Sequence, residues 1–115
     1  MLVQTALIAA IKARKIVEFN DGGGYERIGE PHLLGVCAET GVTTLELVQT
    51  DGEQARTGAH LPQWRRFRLD DIWNLRTTGV ELVPRNDFEP GSPRWSRVIV
   101  SVNDLAATDA APIEG

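Results

Sequence analysis

The stretch IVEFNDGGGYERIGEPHLLGVC, residues 16–37, decides the fold. Ile16 to Asn20 combine β-branched and aromatic side chains, and the run Asp21–Gly24 supplies the positive-φ positions that a tight reversal needs. From Tyr25 the chain resumes as strand, so the whole stretch reads as a β-hairpin. Pro31 has no N–H to give to a ladder and marks an edge, a bulge or a bend in the second strand. The glycines do not form a phosphate cradle, which requires fixed spacing and a following helix whose N-terminus meets the phosphate.

Before the hairpin, Val3, Leu7, Ala10 and Ile11 recur at helical spacing, which predicts an amphipathic helix over residues 2–14. Lys12, Arg14 and Lys15 follow where cations complement the negative end of the helix dipole. After the hairpin, VTTLELVQT (42–50) reads as a third strand and QARTGAHLPQ (54–63) as a loop containing Gly58 and Pro62. WRRFRL (64–69) restores alternation, Asp70 and Asp71 form a turn or short helical bend, and IWNLRTT gives a further strand.

From Pro84 to Pro93 the chain turns to Pro, Asn, Asp, Glu and Gly, an irregular crossing. RWSRVIVSV then offers a last strand with Val98, Val100 and Val102 on one face, and ATDAAPIEG reads as a frayed end. One helix followed by about five short strands predicts a mainly β fold: a small, strongly bent antiparallel barrel or sheet with the helix plugging an end. The expected division is a barrel unit over 1–83 and a C-terminal extension with one strand over 84–115.

Composition narrows the function. The 115 residues leave room for one core, and 42% apolar with 24% charged residues is an ordinary globular balance. No run suits a membrane span, and MLVQTALIAAIKARK has its charges in the wrong order for a secretory signal, so the expected location is cytoplasmic. One cysteine cannot form an internal disulfide, and Cys37 reads as buried packing. A net charge of −4 argues against a surface that tracks phosphates throughout. The region from Arg56 to Arg76 is nevertheless locally basic.

His32 and His60 are not paired at metal-ligand spacing, so no metal or cofactor is expected. His60 reads as solvated. His32 is open to two roles, a hydrogen-bonding structural histidine or a pocket-lining imidazole. No nucleophile motif appears, and the sequence reads as non-enzymatic.

The candidate site lies in the arginine-rich strand. Alternation places Arg65, Phe67 and Leu69 on a core face and Trp64, Arg66 and Arg68 on the other. Two guanidinium groups beside an indole can hold an anion, a carboxylate or a stacked base. The alternative is a strand face whose arginines pair with carboxylates on neighbouring strands.

Three stretches, LIAAIKARKIVEFN (7–20), EPHLLG (30–35) and RRFRLDDIWNL (65–75), resemble the WYL-domain family of bacterial Sm-like small β-barrels. The resemblance spans roughly residues 3–85. The naming Trp-Tyr-Leu tripeptide is absent, with Thr43, Thr44 and Leu45 in its place, and Asp71 stands where the family often carries arginine. The resemblance implies an Sm-like barrel acting as a sensor or effector-binding domain, usually attached to a helix-turn-helix in transcription regulators and associated with small or nucleic-acid ligands. For this chain it implies a stand-alone binding module for an anionic small molecule or single-stranded nucleic acid at Trp64, Arg66, Arg68 and His32. The competing expectation is a homo-oligomerisation or protein-interaction module, in which the C-terminal strand lends its edge to another chain.

Overall fold

The computed structural model describes residues 2–52 and 60–104. It is mainly β with one N-terminal helix. Helix α1 (Leu2–Ala13) precedes β1 (Lys15–Asn20), β2 (Glu26–Cys37), β3 (Thr43–Gly52), β4 (Gln63–Arg68), β5 (Trp73–Glu81) and β6 (Trp95–Ser101). A single turn of 3₁₀ helix, Leu69–Asp71, separates β4 from β5, as the paired aspartates predict. The expected frayed end, ATDAAPIEG, and residues 54–59 of the expected loop lie outside the described residues.

The six strands form one antiparallel sheet. Five run in the order β4-β3-β2-β1-β5, and β6 joins β2. The path ends at β4 and β5, which share no ladder, so the sheet is open at that seam. The twelve-residue β2 is the axis of this arrangement. It pairs with β3 along one edge, while its other edge serves β1 through Glu26–Gly29 and β6 through Leu33–Cys37.

Pro31 sits between those two halves. Its missing N–H falls where the edge changes partner, and the β2–β3 register shifts between Pro31 and Leu33, leaving His32 as the extra residue of a bulge. The sequence signal is therefore met by a bulge in a central strand.

One sheet face holds the principal core. Leu7, Ala10 and Ile11 of α1 pack with Val17 and Phe19 of β1, Leu34 of β2, Leu45 and Leu47 of β3, and Phe67 of β4. Phe19 and Phe67 meet edge to face at 5.3 Å between centroids, a geometry their ring quadrupoles favour. Arg14 ends the helix in the left-handed region (φ 56°). Its Nε donates to the Val102 carbonyl at 3.0 Å, and its own carbonyl accepts from the Leu82 N–H. The basic helix end therefore ties α1 to the ends of β5 and β6, beyond any interaction with the helix dipole.

The C-terminal segment contributes to the same core. Val100 and Val102 are buried in the principal cluster with Leu7. The expected single valine face needs correction. Val98 pairs with Gly35 but Val100 pairs with Leu34, so two residues of β6 are spent on one of β2. That bulge puts Val98 and Val100 on opposite faces: Val98 is 40% exposed and Val100 1%. Cys37 is half-buried at the end of β2 and outside the core cluster, because the strand has already run into the 38–41 turn. Backbone and side-chain hydrogen bonds from that turn, chiefly from Thr40, hold its thiol below the usual range.

A candidate ligand cleft

The other sheet face is covered by residues 84–94, and this covering creates the candidate site. Register fixes which side chains lie there: Glu46 faces Arg66, Val48 faces Trp64, and Thr44 faces Arg68 across the β3–β4 ladder. Leu33, Val48 and Trp95 are buried outside the principal core cluster, forming apolar support for this second layer.

His32 anchors the covering segment. It is fully buried. Its Nδ1 lies 2.9 Å from the Glu30 carbonyl and its Nε2 accepts the Arg85 N–H at 3.0 Å, which places the proton on Nδ1. Its ring meets Trp64 and Phe88 edge-on, with centroids at 5.0 and 5.1 Å. Burial pushes the imidazole below its ordinary value of 6.5, outweighing the raising effect of the Glu30 carbonyl and carboxylate. Both ring nitrogens of His32 are thus engaged by backbone groups. The ring supports the cleft from behind.

Two further contacts hold residues 84–94 down. Arg85 forks onto Glu30 at 2.8 and 3.2 Å. The Trp64 indole N–H donates to Asp87 at 3.0 Å, while its ring lies nearly parallel to Phe88, with 6.1 Å between centroids.

Between this segment and the strands lies a cleft of about 380 Å³, lined by Glu46, Trp64, Arg66, Asp87, Phe88, Glu89 and Arg94. Of the four residues singled out from sequence, Trp64 and Arg66 line it and His32 backs Trp64. Arg68 does not line it. It lies on the same face two residues further along β4, opposite Thr44 at the end of the ladder.

Sequence reasoning missed the floor of the cleft. The Glu46 carboxylate is 7% exposed, and its Oε2 lies 3.2 Å from Arg94 Nη1 and 3.7 Å from Arg66 Nη1. Burial raises its pKa above the ordinary 4.5, against the lowering pull of Arg94 and Arg66. The two arginine side chains are 41% and 48% exposed, so their heads remain in contact with water. Arg66 thus pairs with a neighbouring strand's carboxylate and also lines an open concavity.

A separate polar cluster stabilises the core face. Arg27 is 2% exposed, yet its guanidinium meets Asp21 at 2.7 Å and Gln49 at 3.2 Å and lies over the Phe67 ring at 5.3 Å. Asp21 in turn accepts the N–H groups of Gly23 and Tyr25 in the hairpin turn. His60 is exposed. Among the described residues no group of three His, Cys, Asp or Glu side chains could hold a metal, and no helix is long and apolar enough to cross a membrane.

No family model, curated protein or solved structure matches this chain.

Proposed function

We propose that the protein is a non-enzymatic binding module whose cleft takes a small ligand with an anionic group on a planar or apolar body. The observation that carries this reading is the position of Arg66, half-exposed inside a cleft walled by Trp64 and Phe88. The guanidinium offers directional donors to an oxyanion, and the rings offer apolar area to the rest of the ligand. Resemblance to the WYL domains implies an Sm-like barrel with a regulatory, effector-binding role, and the strand path β4-β3-β2-β1-β5 preceded by α1 supports that reading.

The cleft also contains three carboxylates, from Glu46, Asp87 and Glu89, beside its two arginines. Such a lining suits a ligand of low charge better than a nucleic-acid backbone, whose affinity depends on repeated phosphate neutralisation. A thermal-shift screen of nucleotides and organic acids, run beside anisotropy of labelled single-stranded oligonucleotides, tests this. Small anions are expected to raise the melting temperature, and Arg66→Ala to abolish the effect. Failure of every small anion, or a response indifferent to Arg66→Ala, would sink the reading; a salt-sensitive oligonucleotide response alone would replace it with nucleic-acid binding.

A further inference from the structure

Glu46 is placed unusually for a carboxylate. It projects from the middle of a central strand to the floor of an open cleft, where two guanidinium groups from different segments converge on a single oxygen, Oε2. Burying a carboxylate is costly unless it is paired, and here the pairing is thin. Arg94 gives it one hydrogen bond from Nη1, and Arg66 approaches only to 3.7 Å. Each guanidinium carries five N–H donors, so among the described residues most of those on Arg66 and Arg94 are unclaimed by protein acceptors. The two heads are held together but not saturated.

We infer that the Glu46 carboxylate is an internal substitute for the ligand's own anionic group, so that an oxyanion engages Arg66 and Arg94 in competition with it. This rests on the ligand-binding reading above. A free carboxylate, sulfate or phosphate group can align its oxygens with a guanidinium fork, whereas Glu46, fixed by its strand and shared between two arginines, aligns with neither. Without Glu46 the arginines would face an incoming anion with their charge uncompensated. With it, the site admits only anions that bind well enough to overcome the repulsion. Asp87 and Glu89, from the covering segment, add to that repulsion.

Sulfate is a suitable probe because its charge stays constant across the range in which carboxylates titrate. Its binding is followed through the Trp64 indole N–H resonance in wild-type protein and Glu46→Gln. Removing one charge so close to the bound anion should tighten sulfate binding on the order of tenfold at neutral pH. Wild-type affinity should also rise as pH falls through the titration of Glu46, while the variant's affinity stays flatter. The charged and titratable groups around Glu46 are Arg66 from β4, and Arg94, Glu89 and Asp87 from the covering segment, with His32 behind Trp64. A pH dependence of equal size in Glu46→Gln would belong to those other groups and overturn the inference.

A folded Glu46→Gln protein that binds sulfate no more tightly than wild type would also overturn it. Should the variant not fold, the wild-type pH series decides, and a pH-independent affinity refutes the idea. In both of those cases an Arg66-dependent response in the ligand screen would leave the binding reading standing. No sulfate binding in either protein, with no Arg66-dependent ligand, would remove both.

Discussion

The Arg85 backbone N–H donates to Nε2 of His32 across 3.0 Å, joining residues 53 positions apart in the chain. This bond commits His32 to one neutral tautomer. It also fixes the start of the segment that covers the β3–β4 face, so the cleft depends on an imidazole that does not line it.

Protonating His32 would turn Nε2 from acceptor to donor and set it against the Arg85 N–H. Because burial lowers its pKa, the stability it contributes is fully present above 6.5 and is lost as pH falls through the lower folded-state value. Melting temperatures measured from pH 8 downward should therefore start to decline below about 6.5, and His32→Gln should flatten that part of the curve. An unchanged slope in the variant would assign the acid sensitivity to other groups.

Glu46 has the opposite sign. Its raised pKa means that its contribution is fully present below 4.5 and is lost as pH rises through the folded-state value. Glu46→Gln should therefore gain stability relative to wild type at neutral pH compared with acid. Urea midpoints for the two proteins at pH 4 and pH 7 test this directly, and a difference that is constant between the two pH values would contradict it.

Phe88 shields His32 and stacks on Trp64 from the covering segment. Phe88→Ala should cost about 2 kcal/mol, below the range for a fully buried phenylalanine because Phe88 is only half-buried. It should also admit water to His32 and move its titration back toward 6.5, which the imidazole resonances in an NMR pH series would report.

Breaking the Arg27–Asp21 pair from one side should be severe. Arg27→Ala strands a nearly buried carboxylate and removes a guanidinium from the Phe67 ring, for an expected loss of about 3–5 kcal/mol in chemical denaturation. A loss below about 1 kcal/mol would mean that water replaces the guanidinium freely.

A methyl group at Gly35 would lie 2.8 Å from the Arg97 carbonyl and 3.1 Å from the Trp95 ring. Gly35→Ala should consequently push β6 away from β2 and cost about 1–3 kcal/mol, with the loss of amide protection concentrated in Trp95–Ser101.

Much of this architecture was legible because it is local. The helix, the glycine reversal after Asn20, the bulge signalled by Pro31 and the alternation of Trp64 to Leu69 all follow from periods of a few residues. What the sequence concealed depends on distant pairing. Nothing near Pro84–Arg94 indicates that it folds over β3 and β4, and only that fold makes Glu46 and Arg94 neighbours of Arg66. Glu46 did leave a trace, as the one acidic residue within the apolar run TTLELV, but a strand carboxylate is ordinarily solvated. Arg27 was hidden for the same reason, since a buried guanidinium is recognised only through its partners. The valine face of β6 was misread because one bulge residue inverts the alternation that the period-two rule assumes.

The shared edge of β2 has a consequence for how the chain is made. Leu33–Cys37 gains its β6 neighbour only once Trp95–Ser101 has emerged from the ribosome, after the hairpin, β3, β4 and β5. Until then β2 presents half an unpaired edge beside an unfilled core position for Val100. A nascent chain in that state is an acceptor for any other extended segment, including a second nascent copy of β6.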